Sequence, residues 1–150
     1  MPKRKHFLSA LAMSLGAMAI AGPALAGKMT MHRDPNCGCC LAWAKSIKAD
    51  LGRDVHVLNE PNMPALKGRL AVPAKLASCH TAVIDGYIVE GHVPAADIAR
   101  LLAAKPKQVR GLAVPGMPLG SPGMEAGGTA APYNVIAFGV GTTMIFARHN

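Results

Sequence analysis

The residue types best suited to chemistry in this sequence are its four cysteines. Three of them, Cys37, Cys39 and Cys40, form a Cys-Gly-Cys-Cys run, while Cys79 stands apart. The run combines Cys-x-x-Cys and Cys-x-Cys spacings, which suit thiol–disulfide exchange and metal binding by thiolates. Because cross-links between such close residues constrain little of the unfolded chain, the run favours chemistry over a structural disulfide. A disulfide between Cys79 and one cysteine of the run stays open as an alternative.

A metal bound by this run would draw further ligands from the rest of the chain. Soft thiolates favour Cu(I), zinc or iron–sulfur clusters. Zinc sites usually combine two paired motifs, and the sequence contains a single Cys-x-x-Cys. Thiolate, imidazole and thioether ligands together suit copper in both of its oxidation states. The candidates outside the run are one cysteine, two histidines and two methionines: Cys79, His80, His92, Met117 and Met124.

Two of these candidates, Cys79 and His80, are direct neighbours in the chain. In a regular strand their side chains would face opposite ways, and only irregular backbone would let both reach one site. His92 follows a predicted strand and precedes Pro94, a position at the end of an element where functional residues collect. The alternative for His92 is an ordinary surface residue, and that for Met117 and Met124 is hydrophobic packing of their loop onto the core.

The cysteine run lies between a predicted strand and a predicted helix. Residues 28–32 alternate as a strand does, and residues 41–51 place their apolar side chains on one helix face. Asn36 is the expected N-cap of this helix. The cysteines would then occupy the first helical turn, where the helix dipole stabilises thiolate.

The rest of the chain continues to alternate between strands and helices. We expect a strand at 54–58, a helix at 62–70, a hairpin turning at Asp85-Gly86 and a helix opened by Pro94. A Cys-x-x-Cys in this order predicts an α/β fold, with a thioredoxin-like central sheet flanked by helices. Residues 111–132 contain six glycines and four prolines and predict a long Gly/Pro/Met loop before a C-terminal hairpin.

Composition limits the classes of protein to be considered. The chain has 150 residues and a formal charge of +8, with 51% hydrophobic and 4% aromatic residues. Residues 1–26 resemble a secretory signal peptide, with a basic start, a short apolar run and a cleavage site at Ala26, which leaves one domain at 27–150. No other apolar stretch predicts membrane insertion. Scattered basic residues and few aromatics argue against nucleic-acid binding.

Four motifs in order carry a resemblance to a known family. They are Pro-Asn-Cys-Gly-Cys-Cys-Leu-Ala-Trp, Ser-Cys-His-Thr-Ala, Val-Glu-Gly-His-Val-Pro-Ala and Gly-Leu-Ala-Val-Pro-Gly-Met-Pro-Leu-Gly-Ser-Pro-Gly-Met-Glu. Across about residues 29–146 the sequence resembles the CopG-type family of small exported metal-binding proteins. Genes of this family lie beside bacterial copper-resistance determinants.

The resemblance implies a thioredoxin-like periplasmic domain that binds copper and changes its oxidation state. It implies copper ions as partners, together with periplasmic copper exporters or copper chaperones. The family's motif residues fall on Cys37, Cys39, Cys40, Cys79, His80, His92, Met117 and Met124.

Two other functions remain open on the sequence. In a metal-free thiol–disulfide oxidoreductase, Cys37 would attack and Cys40 would resolve the mixed disulfide, but Cys39 would have no role. In a passive Cu(I) chaperone, the same ligands would hand the ion to a transporter without redox chemistry.

Overall fold

The computed structural model describes residues 27–125 and 128–150; the predicted signal peptide at 1–26 lies outside the described residues. Seven strands and three α-helices form in this part of the chain. The helices are α1 (Gly38–Leu51), α2 (Met63–Arg69) and α3 (Ala95–Ala104), and a 3-10 turn spans Ala74–Leu76. The strands are β1 (Met29–Arg33), β2 (Val55–Asn59), β3 (His80–Ile84), β4 (Tyr87–Glu90), β5 (Gly111–Ala113), β6 (Tyr133–Gly139) and β7 (Thr142–His149).

The strands form one mixed sheet in the order β2-β1-β3-β4-β5-β6-β7. Strand β1 is parallel to β2 and antiparallel to β3, while β4 is antiparallel to β3 and parallel to β5. The last two strands continue as an antiparallel hairpin, as predicted. The predicted α/β class is therefore confirmed. None of the described helices is long and apolar enough to cross a membrane.

Apolar side chains cover both faces of the sheet. On one face, Trp43 and Ile47 of α1 and Leu101 of α3 pack with the buried methionines of β1. On the other face, Ile88 and Phe138 pack with a smaller group that includes residues 72–76. Because α1 spans this buried layer, its N-terminus is held at a fixed position beside the strand ends.

Two expectations from the sequence are wrong in detail. Cys37 is the N-cap of α1, not Asn36. Asn36 lies inside a turn in which the backbone N–H of Cys37 donates to the Asp34 carbonyl at 3.1 Å. Residues 111–132 are not wholly loop, because β5 at Gly111–Ala113 fills the place between β4 and β6. Its three residues are all buried, so they lack the alternation that identifies a strand.

Candidate metal centre

Four chain segments meet at one edge of the sheet. Strand β1 ends there at Arg33, which pairs with His80 at the start of antiparallel β3. Strand β4 ends at the same edge with Glu90, and parallel β5 ends beside it at Ala113. Each of the sequence motifs therefore follows or precedes a strand end at this edge, although the motifs are far apart in the chain.

The cysteine run forms the first part of the site. Cys39 and Cys40 lie in the first turn of α1, and Cys37 and Cys40 form a disulfide. The Sγ atom of Cys39 is free and lies 3.3 Å from Cys37 Sγ. Cys40 is fully buried, whereas Cys37 is half-buried. The guanidinium of Arg33 donates to the carbonyl oxygens of Pro35 and Cys37, which fixes the backbone that leads into α1.

Cys79 and two histidines form the second part. Cys79 directly precedes β3, so its backbone is irregular and its side chain reaches the same site as that of His80. The Cys79 Sγ lies 3.3 Å from His80 Nδ1 and 3.0 Å from His92 Nε2. The backbone N–H of Gly91 donates to the His80 carbonyl at 2.9 Å, which keeps the two segments together beyond the strands.

The tautomer of His92 follows from its hydrogen bond. Its Nδ1 lies 2.7 Å from the carbonyl oxygen of Pro122, which can only accept, so Nδ1 carries the proton. Burial lowers the pKa of His92 below its usual value of 6.5. The neutral ring therefore presents an unprotonated Nε2 to Cys79. A backbone carbonyl on the far nitrogen is one of the usual partners that orient a metal-binding histidine.

His80 is the more deeply buried of the two histidines. Burial first, and then the charges of His92 and Lys67, hold its pKa well below 6.5, against the opposing effect of the Gly91 carbonyl. Its ring centroid lies 4.4 Å from that of Trp43. Among the described buried side chains, His80 Nε2 has no hydrogen-bond partner of normal geometry. An unpartnered buried nitrogen is costly, but Nδ1 is the nitrogen that faces Cys79, so a metal shared with Cys79 would bind His80 through Nδ1.

The two parts share Cys79. The ligand atoms of Cys37, Cys39, Cys40 and Cys79 all lie within 4.8 Å of one another, and those of Cys79, His80 and His92 do so as well. Burial, followed by the charge of Cys39, raises the pKa of the Cys79 thiol to about 12. A soft cation beside this sulfur would replace its proton and offset the cost of burying a thiolate.

The Gly/Pro/Met loop covers the site, but its two methionines are placed differently. The Sδ atom of Met117 lies 3.9 Å from Cys39 Sγ, and its side chain is half exposed. Met124 lies in a turn, where its backbone N–H donates to the Ser121 carbonyl and its carbonyl accepts from Gly120. Met117 therefore reaches the cysteines through a sulfur contact, while the described contacts of Met124 are those of its backbone.

Gly123 lets this loop rest directly on α1. Its φ is +83°, and a Cβ atom there would lie 2.6 Å from the backbone nitrogen of Trp43. The neighbouring Pro122 is the residue whose carbonyl orients His92. The close approach therefore connects the loop, the helix and the second part of the site.

One group beside the site is not predicted from the sequence. Glu90 is fully buried and accepts from Lys67 Nζ at 2.5 Å and from Thr81 Oγ1 at 2.6 Å. Lys67 is separated from Glu90 by 23 positions and lies on α2, so no local pattern joins them. The only signal in the sequence is that Glu90 belongs to the same motif as His92.

Two solved structures resemble the chain closely. One is described as copper resistance protein CopG, form 2; it is 45% identical, with a TM-score of 0.78, and the match covers 83% of this chain and 99% of that one. The chain belongs to the CopG family. The predicted family membership is thus confirmed. A second CopG structure, form 1, is 46% identical with a TM-score of 0.77, over 83% of this chain and 98% of the other.

The family model described as a protein of unknown function, DUF411, matches residues 76–124. This CopG-family segment contains Cys79, both site histidines and both loop methionines, and it begins after the cysteine run. No curated protein matches the chain.

Proposed function

We propose that this chain is a copper-binding protein of a copper resistance or homeostasis system. The observation that carries the proposal is the position of Cys79 Sγ, which belongs both to the four-cysteine group and to the group with His80 and His92. A thiolate can bridge two Cu(I) ions, so the shared sulfur suits more than one bound ion. The two similar structures, both named as copper resistance proteins, support copper as the ion.

The proposed ligands divide by softness and burial. Thiolates come from the cysteine run and Cys79, imidazoles from His80 and His92, and a thioether from Met117 at the exposed side. Met124 stays in the prediction as a second thioether carried by the same loop. Mixed sulfur and nitrogen ligation supports both oxidation states of copper, and it is the basis for proposing copper redox activity.

The Cys37–Cys40 disulfide sets a condition on copper binding. Its two sulfurs become thiolate ligands only after the bond takes up two electrons, so the reduced protein should bind more copper than the oxidised protein. Cys79, His80 and His92 do not depend on that bond.

An anaerobic Cu(I) titration of the reduced chain against a competing chelator tests the proposal. Cys79→Ser should weaken the tightest binding by more than about 100-fold, because it removes a ligand common to both groups. His92→Ala should weaken it, whereas His56→Ala on the exposed side of β2 should not. Failure of the reduced wild-type chain to compete for copper would overturn the proposal.

A metal-free thiol–disulfide oxidoreductase is the second candidate. The disulfide at the N-terminus of α1 favours it, as does a cleft of about 700 Å³ lined in part by Cys37, Cys79 and Met117. A substrate thiolate would attack the half-buried Cys37 sulfur, and Cys40 would leave as the thiolate. A second substrate thiol would then release Cys37, so the substrate loses two electrons and the protein gains them. Oxidation of a dithiol peptide that is unaffected by Cys39→Ser, without copper binding, would favour this candidate.

Export and fold type complete the proposal. The strand order β2-β1-β3-β4, with the cysteine run at the N-terminus of the helix that follows β1, supports the thioredoxin-like interpretation. Export to the periplasm, with cleavage after Ala26, is proposed from the sequence at 1–26, and the mass of the recovered chain tests it. Transfer of copper to an exporter or from a chaperone requires an assay with that partner.

A further inference from the structure

A network of buried charges lies directly behind the site. Lys67 is about one-tenth exposed and Glu90 is fully buried. Lys67 Nζ donates to Glu90 Oε1 at 2.5 Å and to Thr81 Oγ1 at 2.8 Å, and Thr81 Oγ1 donates to Glu90 Oε2 at 2.6 Å. Glu90 Oε1 also accepts a hydrogen bond from the backbone N–H of Ser78, at 2.6 Å.

Ser78 connects this network to two segments that carry sulfur ligands. It directly precedes Cys79, and its hydroxyl donates to the Gly116 carbonyl, which is next to Met117. Gly91 packs against it so closely that a Cβ atom there would lie 2.5 Å from Ser78 Oγ. The position of Ser78 therefore fixes the backbone next to Cys79 and next to Met117.

The same network also reaches the histidine segments. Glu90 ends β4 two residues before His92, and Thr81 follows His80 in β3. One carboxylate thus holds the start of β3, the end of β4 and the segment before Cys79.

Stability alone is a weak reason for this arrangement. Removing two charges from water carries a large desolvation cost, and apolar replacements of buried ion pairs are often neutral or stabilising. A buried pair that also accepts a hydrogen bond from backbone outside the regular strands can fix that backbone in one position.

We infer that Glu90 is a positioning residue for the copper site: it sets the position of Cys79 through the Ser78 N–H, while Lys67 compensates the buried charge of the Glu90 carboxylate. The inference rests on the proposed function for its ligand. It assigns neither residue to the metal itself.

Two double variants separate positioning from simple stability. Both K67M/E90Q and K67M/E90L remove the ion pair, but only the glutamine keeps an oxygen that can accept from Ser78 N–H and an amide that can donate to Thr81. Copper affinity of the reduced protein should stay within about threefold of wild type in K67M/E90Q. In K67M/E90L it should fall by about 10–100-fold, the usual effect of losing a group that orients a metal ligand.

A second readout does not need copper. In the Cys39→Ser background with the Cys37–Cys40 bond oxidised, Cys79 is the single free thiol. Its rate of alkylation should rise by about tenfold in K67M/E90L, because the segment at Ser78 opens more often, and should not rise in K67M/E90Q. If the leucine variant does not fold, K67M/E90M takes its place in both comparisons.

The outcomes are distinct. Equal alkylation rates in the two folded double variants would overturn the positioning role, whatever copper does. Unequal rates in a protein that binds no copper would support the positioning of Cys79 and remove the proposed function. Equal copper affinities with unequal alkylation rates would show that Cys79 is positioned without being a ligand, which also overturns the inference as stated.

Discussion

Gly123→Ala tests whether the loop holds the second part of the site in place. An alanine Cβ at this position would lie 2.6 Å from the Trp43 nitrogen and 3.1 Å from the Cys39 carbonyl oxygen. Both are backbone atoms of α1, so neither can rotate away. The loop would have to move off the helix, and the Pro122 carbonyl would leave His92 Nδ1.

The magnitude follows from two separable costs. A non-glycine residue in the left-handed region costs about 1–2 kcal/mol. Gly52 provides the matched control, because its φ is +65° and no atom lies within 4 Å of an added Cβ. Gly52→Ala should therefore lower the free energy of unfolding by about 1–2 kcal/mol. Gly123→Ala should lose about 2–3 kcal/mol, since displacement of the loop also breaks the His92 hydrogen bond, worth about 1 kcal/mol.

Urea unfolding of the two variants measures these free energies, and chelator competition measures copper affinity. Copper affinity should fall by about 10–100-fold in Gly123→Ala and should not change in Gly52→Ala. Equal losses of stability in the two variants, with wild-type copper affinity in both, would refute the argument. The loop would then neither rest on α1 through Gly123 nor orient His92.

Three further predictions concern the pH dependence of copper affinity, the fluorescence of Trp43 and the contact of Asp97 with His149 of β7. Because burial raises the pKa of the Cys79 thiol to about 12, copper must displace its proton below that pH, and log affinity should rise with pH. In Cys79→Ser, the slope of log copper affinity against pH, measured by chelator competition from pH 6 to 8, should be lower by about one. Copper binding at His80 should quench the emission of Trp43, the single tryptophan, since the ring centroids lie 4.4 Å apart; unchanged emission at saturation would place the copper elsewhere. Asp97→Ala removes a buried partner of His149 at 2.7 Å and should cost about 1–3 kcal/mol in urea unfolding, with copper affinity unchanged.

Local signals in the sequence account for much of the fold. Asp85 and Gly86 both have positive φ, which is the turn that this dipeptide favours between strands. The apolar face of residues 41–51 became the buried face of α1, with Trp43 and Ile47 in the core. These features were predictable because the residues that determine them are close in the chain.

Long-range features were not predictable in the same way. Strand β5 is three residues long and takes its place from its neighbours β4 and β6 rather than from its own pattern. The pairing of Lys67 with Glu90 depends on α2 packing near the start of β3, which no spacing in the sequence encodes. Similarly, nothing local distinguishes Met117 from Met124, although Met117 alone makes a described sulfur contact with a cysteine.

The directions of the strands explain why distant motifs make one site. Since β1 is antiparallel to β3, and β4 is antiparallel to β3 and parallel to β5, the ends of β1, β4 and β5 and the start of β3 all lie at one edge. Each ligand motif is attached to one of these ends. Each ligand motif is therefore set by a different strand end, and a shift of one strand would move its own motif relative to the others. The Ser78 hydroxyl on Gly116 and the Pro122 carbonyl on His92 are the contacts that couple these motifs. Loss of either contact should therefore lower copper affinity more than it lowers the stability of the sheet, because the strands pair whether or not the loop is in place.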